Sequence, residues 1–270
     1  MSNSSLSTAT RRWSPPPMIR NPYKRWGLIV GAGLYLVVAL STLDVNSDRI
    51  ARGLERSSRI FAGFLQPDFV SRWSDIQTGV LESLTMTVVA TVIGIVISIP
   101  VGFGAARNVA PLPIYLFCRA WVTISRTFQE VIIAILFVVM MGFGPLAGVL
   151  TLSFTSVGFL SKLLAEDIEE IDPAQVEAIR ATGASWLQLM TYAVLPQVMP
   201  RLVGLGVYRF DINLRESAIV GVVGAGGIGA TLQTAFSRYE FDTAGAILLI
   251  IIALVMATEL ASGFIRKRLQ

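Results

Sequence analysis

The apolar segment 202–223 of this sequence carries Arg209, Asp211, Asn213, Arg215 and Glu216. A second apolar segment, 112–142, carries Arg126 and Glu130. Guanidinium groups present forked N–H donors that match the oxygens of a carboxylate or a phosphorus oxyanion. Acids spaced i,i+4 neutralise such arginines along one helix face, and Asp211–Arg215 and Arg126–Glu130 both have that spacing. Arg209, Asn213 and Glu216 fall on another face, and Arg209 has no acid within its own turn. Two uses stay open for these groups. They form a self-neutralised network that fixes helix packing, or Arg209 and Arg126 line a path for an anion. A path needs part-neutralised arginines, because a deep well traps the solute.

Other chemistry is excluded by residue type. There is no histidine, and Cys118 is the only cysteine. That removes His-based triads, His or Cys zinc sites, iron–sulfur clusters and an intrachain disulfide, so no metal site is expected.

The elements that hold these charges are membrane spans. Of 270 residues, 53% are hydrophobic and 15% charged, against about 25% charged in a soluble domain. A mean hydropathy of +0.64 agrees. The apolar residues arrive in blocks at 27–43, 79–104, 112–142, 146–164, 202–223 and 244–265, which predicts six spanning helices. The block 112–142 exceeds an untilted span, so its first third, with Arg119, is expected to project or lie at the surface. A charge at bilayer centre costs about 2.5–3.5 kcal/mol, so the charges within segment 202–223 must face the bundle interior or a wet cavity.

Basic flanks set the orientation. Arg11, Arg12, Arg20, Lys24 and Arg25 precede the first span, and Arg266, Lys267 and Arg268 follow the last, which places both termini in the cytoplasm. The outside loop 44–75 breaks the rule with Arg49, Arg52, Arg56, Arg59 and Arg72. Phe61, Phe64 and Leu65 make part of it amphipathic, as in an interfacial helix stopped by Pro67. Residues 2–10 and the Pro15-Pro16-Pro17 run read as a disordered tail. Ala39-Leu40-Ser41 is a passable cleavage site, but the long polar leader favours an uncleaved anchor.

The loop 166–200 reads as two capped helices. Asp172 is an N-cap, Pro173 suits the first helical position, Gln175 completes a capping box and Gly183 ends the helix. Ser185 and Gln188 repeat the box, and the second helix is expected to end before Pro196. Only Arg180 is basic between residues 172 and 200, so this is no nucleic-acid reader.

The run Glu177-Ala178-Ile179-Arg180-Ala181-Thr182-Gly183, followed by Leu195-Pro196, resembles the EAA loop of ABC (ATP-binding-cassette) importer permeases. Ile179 departs from the third letter. From about residue 82 to 268 the chain is similar to the phosphonate-type branch of that superfamily. The carrying segments are Ser161-Lys162-Leu163-Leu164-Ala165-Glu166, Val194-Leu195-Pro196-Gln197-Val198-Met199-Pro200, Tyr208-Arg209-Phe210 and Val223-Gly224-Ala225-Gly226-Gly227-Ile228-Gly229. The resemblance implies an all-α, polytopic, type I ABC importer permease fold of the methionine-permease kind. It implies two ATPase subunits that bind ATP and Mg, a second permease that is identical or a paralogue, and an extracytoplasmic binding protein. Glu177, Ala178, Arg180, Gly183, Leu195 and Pro196 would couple to the ATPase.

Gly224-Ala225-Gly226-Gly227-Ile228-Gly229 also fits G-x-G-x-x-G after the strand-like 218–223. A dinucleotide site needs a βαβ unit, whereas a full span follows here. The glycines instead break a helix at the outer membrane edge and let the chain reverse, for gating or for close packing.

The expected organisation is a basic tail at 1–26, an anchor at 27–43, an outside loop at 44–75 and a permease core at 76–270. The expected activity is non-catalytic: a path for phosphonate or a related phosphorus oxyanion across the bacterial inner membrane. Import of phosphite, a phosphate ester or another small solute by the same type of permease, or a secondary transporter without an ATPase, are the alternatives. No G-x-x-x-x-G-K-[ST] loop is present to bind nucleotide.

Overall fold

Asn21 opens the first helix, α1 (Pro22–Ser41), by accepting the Tyr23 N–H at 3.1 Å, with Pro22 at the first position where its missing donor is harmless. In this computed structural model, residues 21–42 and 47–269 are described, and they divide into two compact units at Ser57/Ser58. Most of the polar tail, and Leu43 at the end of the expected anchor, lie outside the described residues. No residue of α1 is buried, so its apolar surface needs lipid; its length of about 30 Å matches a bilayer core. The next helix, α2 (Ser47–Phe64), ends three residues before Pro67, and Ile50 and Leu54 on it are exposed.

The second unit is organised around α3 (Trp73–Ala105) and α6 (Pro145–Glu169). Ala90, Gly94, Ser98 and Gly102 recur every fourth residue of α3 and are all buried. A Cβ added at Gly94 would stand 2.5 Å from the Ser156 Cβ of α6, so glycine is what lets the two backbones approach. Ser161 Oγ donates to the Ser98 carbonyl at 3.4 Å. Within lipid there is no water to drive apolar association, and such small-residue packing replaces it.

The segment 112–142 is not one continuous helix. It breaks at Phe128 and Gln129, both extended, and α4 (Leu112–Thr127) meets α5 (Glu130–Met141) at 95°. Among the described residues, four helices are long and apolar enough to cross a membrane: α1, α3, α6 and, over Phe241–Phe264, α11 (Phe241–Leu269). Each of two bent pairs adds one span if it crosses as a unit, which gives six. One pair is α4 with α5. The other is Trp186–Ala225 with α10 (Gly227–Ser237), bent by 54°.

The polar loop folds largely as its caps dictate. Asp172 Oδ1 accepts the Ala174 N–H at 3.0 Å to start α7 (Pro173–Ala181), and Gly183 turns at φ +81° beyond its end. The Ser185 N–H donates to Gln188 Oε1 at 2.8 Å. Two details differ from expectation. The Asp172 N–H goes to Gln197 Oε1 at 3.1 Å, not to Gln175, because the start of the next helix packs against the loop. Nor does the second helix stop before Pro196. From α8 (Trp186–Leu189) the chain runs through a π-helical turn, Met190–Val194, straight into α9 (Leu195–Val220). The wider turn absorbs the bond that Pro196 cannot donate.

Outside the spans, Arg72 forks onto Glu240 at 2.6 and 2.9 Å and reaches Asp75 at 3.1 Å, tying the start of α3 to the α10–α11 turn. Hydrogen bonds from the Ser71 side chain and from the Val70 and Ser71 N–H groups hold the nearby Asp68 carboxyl below the usual carboxylate range.

Candidate functional site

A guanidinium in an apolar bundle must find acceptors for its N–H groups. Arg209, only 3% exposed, finds them on two helices. Its Nε donates to Ser156 Oγ at 2.9 Å, and Nη2 donates to Thr155 Oγ1 at 2.8 Å and Glu216 Oε2 at 2.9 Å. The guanidinium also lies over the Phe159 ring, 5.5 Å from its centroid. The acid that Arg209 lacks in its own turn is thus Glu216, two turns further along α9. Glu130 of α5 stands at 3.9 Å.

Asn213 completes the buried knot. Its Nδ2 donates to Thr91 Oγ1 of α3 at 2.8 Å, and Ser156 Oγ donates to its Oδ1 at 3.1 Å. Asp211 and Arg215 pair at 3.4 Å along α9, as their spacing predicts, and Thr258 of α11 donates to Asp211 at 3.3 Å. The Asp211 side chain is 10% exposed, that of Arg215 54%. Arg126 is exposed and forms no ion pair with Glu130 among the described residues. The physical reason is the 95° bend between them, which destroys the i,i+4 face.

Accessibility therefore sorts the charges. Arg209, Asp211 and Asn213 are inside, whereas Arg126 and Arg215 present cations at the surface of the chain. Sequence reasoning missed Thr155, Ser156, Thr91 and Thr258. The hydroxyls in Thr151-Leu152-Ser153-Phe154-Thr155-Ser156 were the available signal, since an apolar span rarely needs so many.

At the glycine run the residues preceding it are helical, not a strand, so no βαβ unit exists there. Gly224, Gly226 and Gly227 have φ of +99°, +79° and +71°. Gly229 is needed for space: a Cβ there would strike the Ala218 carbonyl oxygen. Glu82 Oε2 accepts the Gly227 N–H at 2.9 Å, and Ser83 Oγ accepts the Ile228 N–H at 3.0 Å, so α3 caps α10. Glu82 borders a cavity of about 540 Å³ whose lining includes Phe143, Gly226 and Gln233.

On the capped pair, Glu177, Ala178, Arg180, Gly183 and Pro196 are exposed, and Leu195 is half-buried. Ile179 instead packs with Val176 against a core of Leu164, Ile168, Leu189 and Val194, which explains an apolar residue in the third place of the motif. Trp186, Leu187 and Tyr192 are 61%, 67% and 69% exposed beside it. These three were also missed. Removing the cap by Asp172→Ala should cost about 1 kcal/mol, local to α7. Hydrogen exchange should show faster exchange of the α7 amides, with the thermal midpoint nearly unchanged.

The family model for the binding-protein-dependent transport system inner membrane component matches residues 98–270. The chain is 42% identical to the Phosphate-import permease protein PhnE of Mycolicibacterium smegmatis, across 98% of this chain and 51% of that protein. It thus spans about half the length of that relative. It is 38% identical to the Phosphite transport system permease protein PtxC of Stutzerimonas stutzeri, covering 89% of this chain and 86% of the relative. Among solved structures, the MetNI methionine ABC transporter in inward-facing conformations has a chain that superposes with a TM-score of 0.64. Sequence identity is 26%, over 73% of this chain and 97% of that one.

Proposed function

Because this chain belongs to the binding-protein-dependent transport system inner membrane components, we propose that it is the permease of an ATP-driven importer for a phosphorus oxyanion. The observation that carries the ATP-driven part is the exposed, capped helix pair, on which Glu177, Ala178 and Arg180 sit beside solvent-facing Trp186 and Leu187. A rigid projection with an apolar tip suits docking to a separate subunit, and its anchorage through Ile179 and Gln197 to α9 passes movement into the bundle. ATP and Mg bind to two ATPase subunits, which supply all hydrolysis. A second permease, identical or a paralogue, completes the membrane unit, and an extracytoplasmic binding protein delivers the solute. The complex sits in the bacterial inner membrane with both termini and the helix pair in the cytoplasm.

The named substrates of the relatives, phosphate and phosphite, support the oxyanion class. Arg126 and Arg215 are the cations that meet it first, because both are exposed within the apolar segments 112–142 and 202–223. Arg209 contacts it only if Glu130 and Glu216 move aside. Gly224, Gly226, Gly227 and Gly229 form the turn at which the outer gate hinges.

Uptake of radiolabelled phosphonate, phosphite and phosphate into vesicles holding the full complex tests this reading. Uptake should require ATP, the ATPase and the binding protein. Arg126→Ala should lower it about tenfold at limiting solute, the equivalent of one charge-assisted contact of about 1.4 kcal/mol. Uptake without the ATPase, or unaffected by Arg126→Ala together with Arg215→Ala, would overturn it.

A further inference from the structure

We propose that α2 is a membrane-surface helix that binds anionic phospholipid, with an apolar stripe in the outermost acyl region and its arginines on the lipid phosphates. Ile50, Leu54, Phe61 and Leu65 form the stripe. Their spacing puts them within about 60° of one another around the helix. The Leu65 N–H donates to the Phe61 carbonyl at 3.1 Å, so the last turn includes Leu65. All four residues are more than half exposed. Phe64, which the sequence grouped with Phe61 and Leu65, is half-buried instead, its ring edge-on to Phe236 at 6.3 Å.

Both ends of α2 stand where apolar spans meet the membrane surface. No residue of α1 is buried, so α1 needs lipid, and only residues 42–46 separate it from α2, a reach of about 20 Å at most. The other end of α2 is held at the start of the α11 span. A Cβ added at Gly63 would stand 2.7 Å from the Phe241 Cβ, and the Asp68 N–H donates to the Asp242 carbonyl at 3.2 Å. The helix does not itself cross the bilayer, because Asp48, Arg49, Arg52, Glu55, Arg56 and Arg59 all fall within it. A charged helix that begins and ends at the surface, with one apolar stripe, lies along that surface.

Charge selects the lipid. Four arginines against Asp48 and Glu55 give α2 a net charge of +2. Arg52 and Arg56 are exposed, on the half of the helix away from the stripe. With the apolar face sunk about 5–10 Å, the far side of a helix about 10 Å across stands among the headgroups. Guanidinium groups placed there fork onto phosphate oxygens. The arginines that break the charge rule in the loop 44–75 thereby gain a partner outside the chain. This holds on whichever side of the membrane α2 lies, and for whichever solute the chain conducts.

The full chain in nanodiscs of mixed phosphatidylcholine and phosphatidylglycerol provides the test. Native mass spectrometry should find phosphatidylglycerol retained in preference to phosphatidylcholine. Arg52→Gln with Arg56→Gln should reduce that preference roughly 30-fold, the equivalent of about 2 kcal/mol for two cations at a lipid surface. Equal retention of both lipids by the unaltered chain overturns the proposal, as does a preference that the double variant keeps in full. Spin labels then locate the stripe. On a Cys118→Ala background, labels at Leu54→Cys and Phe61→Cys should be reached by oxygen, which concentrates among acyl chains, more than by a water-soluble nickel chelate. A label at Arg56→Cys should show the reverse. All three positions are exposed, so labelling disturbs little packing. Labels at Leu54 and Phe61 that favour nickel put the stripe in water, and labels shielded from both reagents put it under protein. Either result overturns the proposal.

Discussion

Arg209→Ala is expected to destabilise the folded chain by about 3–5 kcal/mol, the usual cost of removing one member of a buried ion pair. The loss has two parts. Glu216, with its side chain 14% exposed, keeps its carboxyl but loses the cation that faces it at 2.9 Å. Ser156 and Thr155 lose a donor in a bundle with little water to replace it. Thermal unfolding in detergent should show a lowered midpoint and a reduced yield of monodisperse protein. Arg209→Lys should fall between, because an ammonium cannot fork onto Ser156, Thr155 and Glu216 from one position. The double variant Arg209→Ala with Glu216→Ala should recover part of the loss by removing the stranded acid. A fully stable Arg209→Ala chain would show that the cluster does not hold α6 against α9.

The second large effect is functional. Trp186→Glu with Leu187→Glu should weaken association with the proposed ATPase subunit by at least about 2 kcal/mol, or roughly 30-fold, as for central aromatic anchors of interfaces. Both side chains are more than half exposed, so their replacement removes little packing within this chain. Folding stability should therefore stay within about 1 kcal/mol of that of the unaltered chain, read as a nearly unchanged thermal midpoint, as for ordinary surface substitutions. Co-purification with the ATPase and ATP-driven uptake should both fail. Normal uptake by this variant would remove the exposed aromatic tip from the docking surface and leave that task to Glu177, Ala178 and Arg180.

Together these predictions separate two roles that the charged and apolar residues could share. On the proposed function, Arg209 and Asn213 act through helix packing, whereas Arg126, Arg215 and the Trp186 tip act on groups outside the chain. One measurement of stability and one of transport, made on the same variants, distinguishes them.

Much of this molecule is legible in its amino acids because the responsible physics is local. Long apolar blocks identify membrane spans, since a bilayer fixes the length of an apolar helix. Asp172, Pro173 and Gly183 mark the limits of α7, because caps act over three or four residues. The Asp211–Arg215 pair follows from helical spacing alone. What only the tertiary structure decided depends on contacts between distant segments. Nothing near Phe128 or Gln129 announces a 95° bend, for neither is proline or glycine, yet that bend separates Arg126 from Glu130. Two of the partners of Arg209, Thr155 and Ser156, come from α6, more than fifty residues away, and were assigned only by how α6 packs against α9. The sequence by itself determined that charges lie within the membrane and must be neutralised. Which group neutralises which was decided by helix packing, because in a medium without water each buried donor takes the nearest acceptor that packing leaves within about 3 Å.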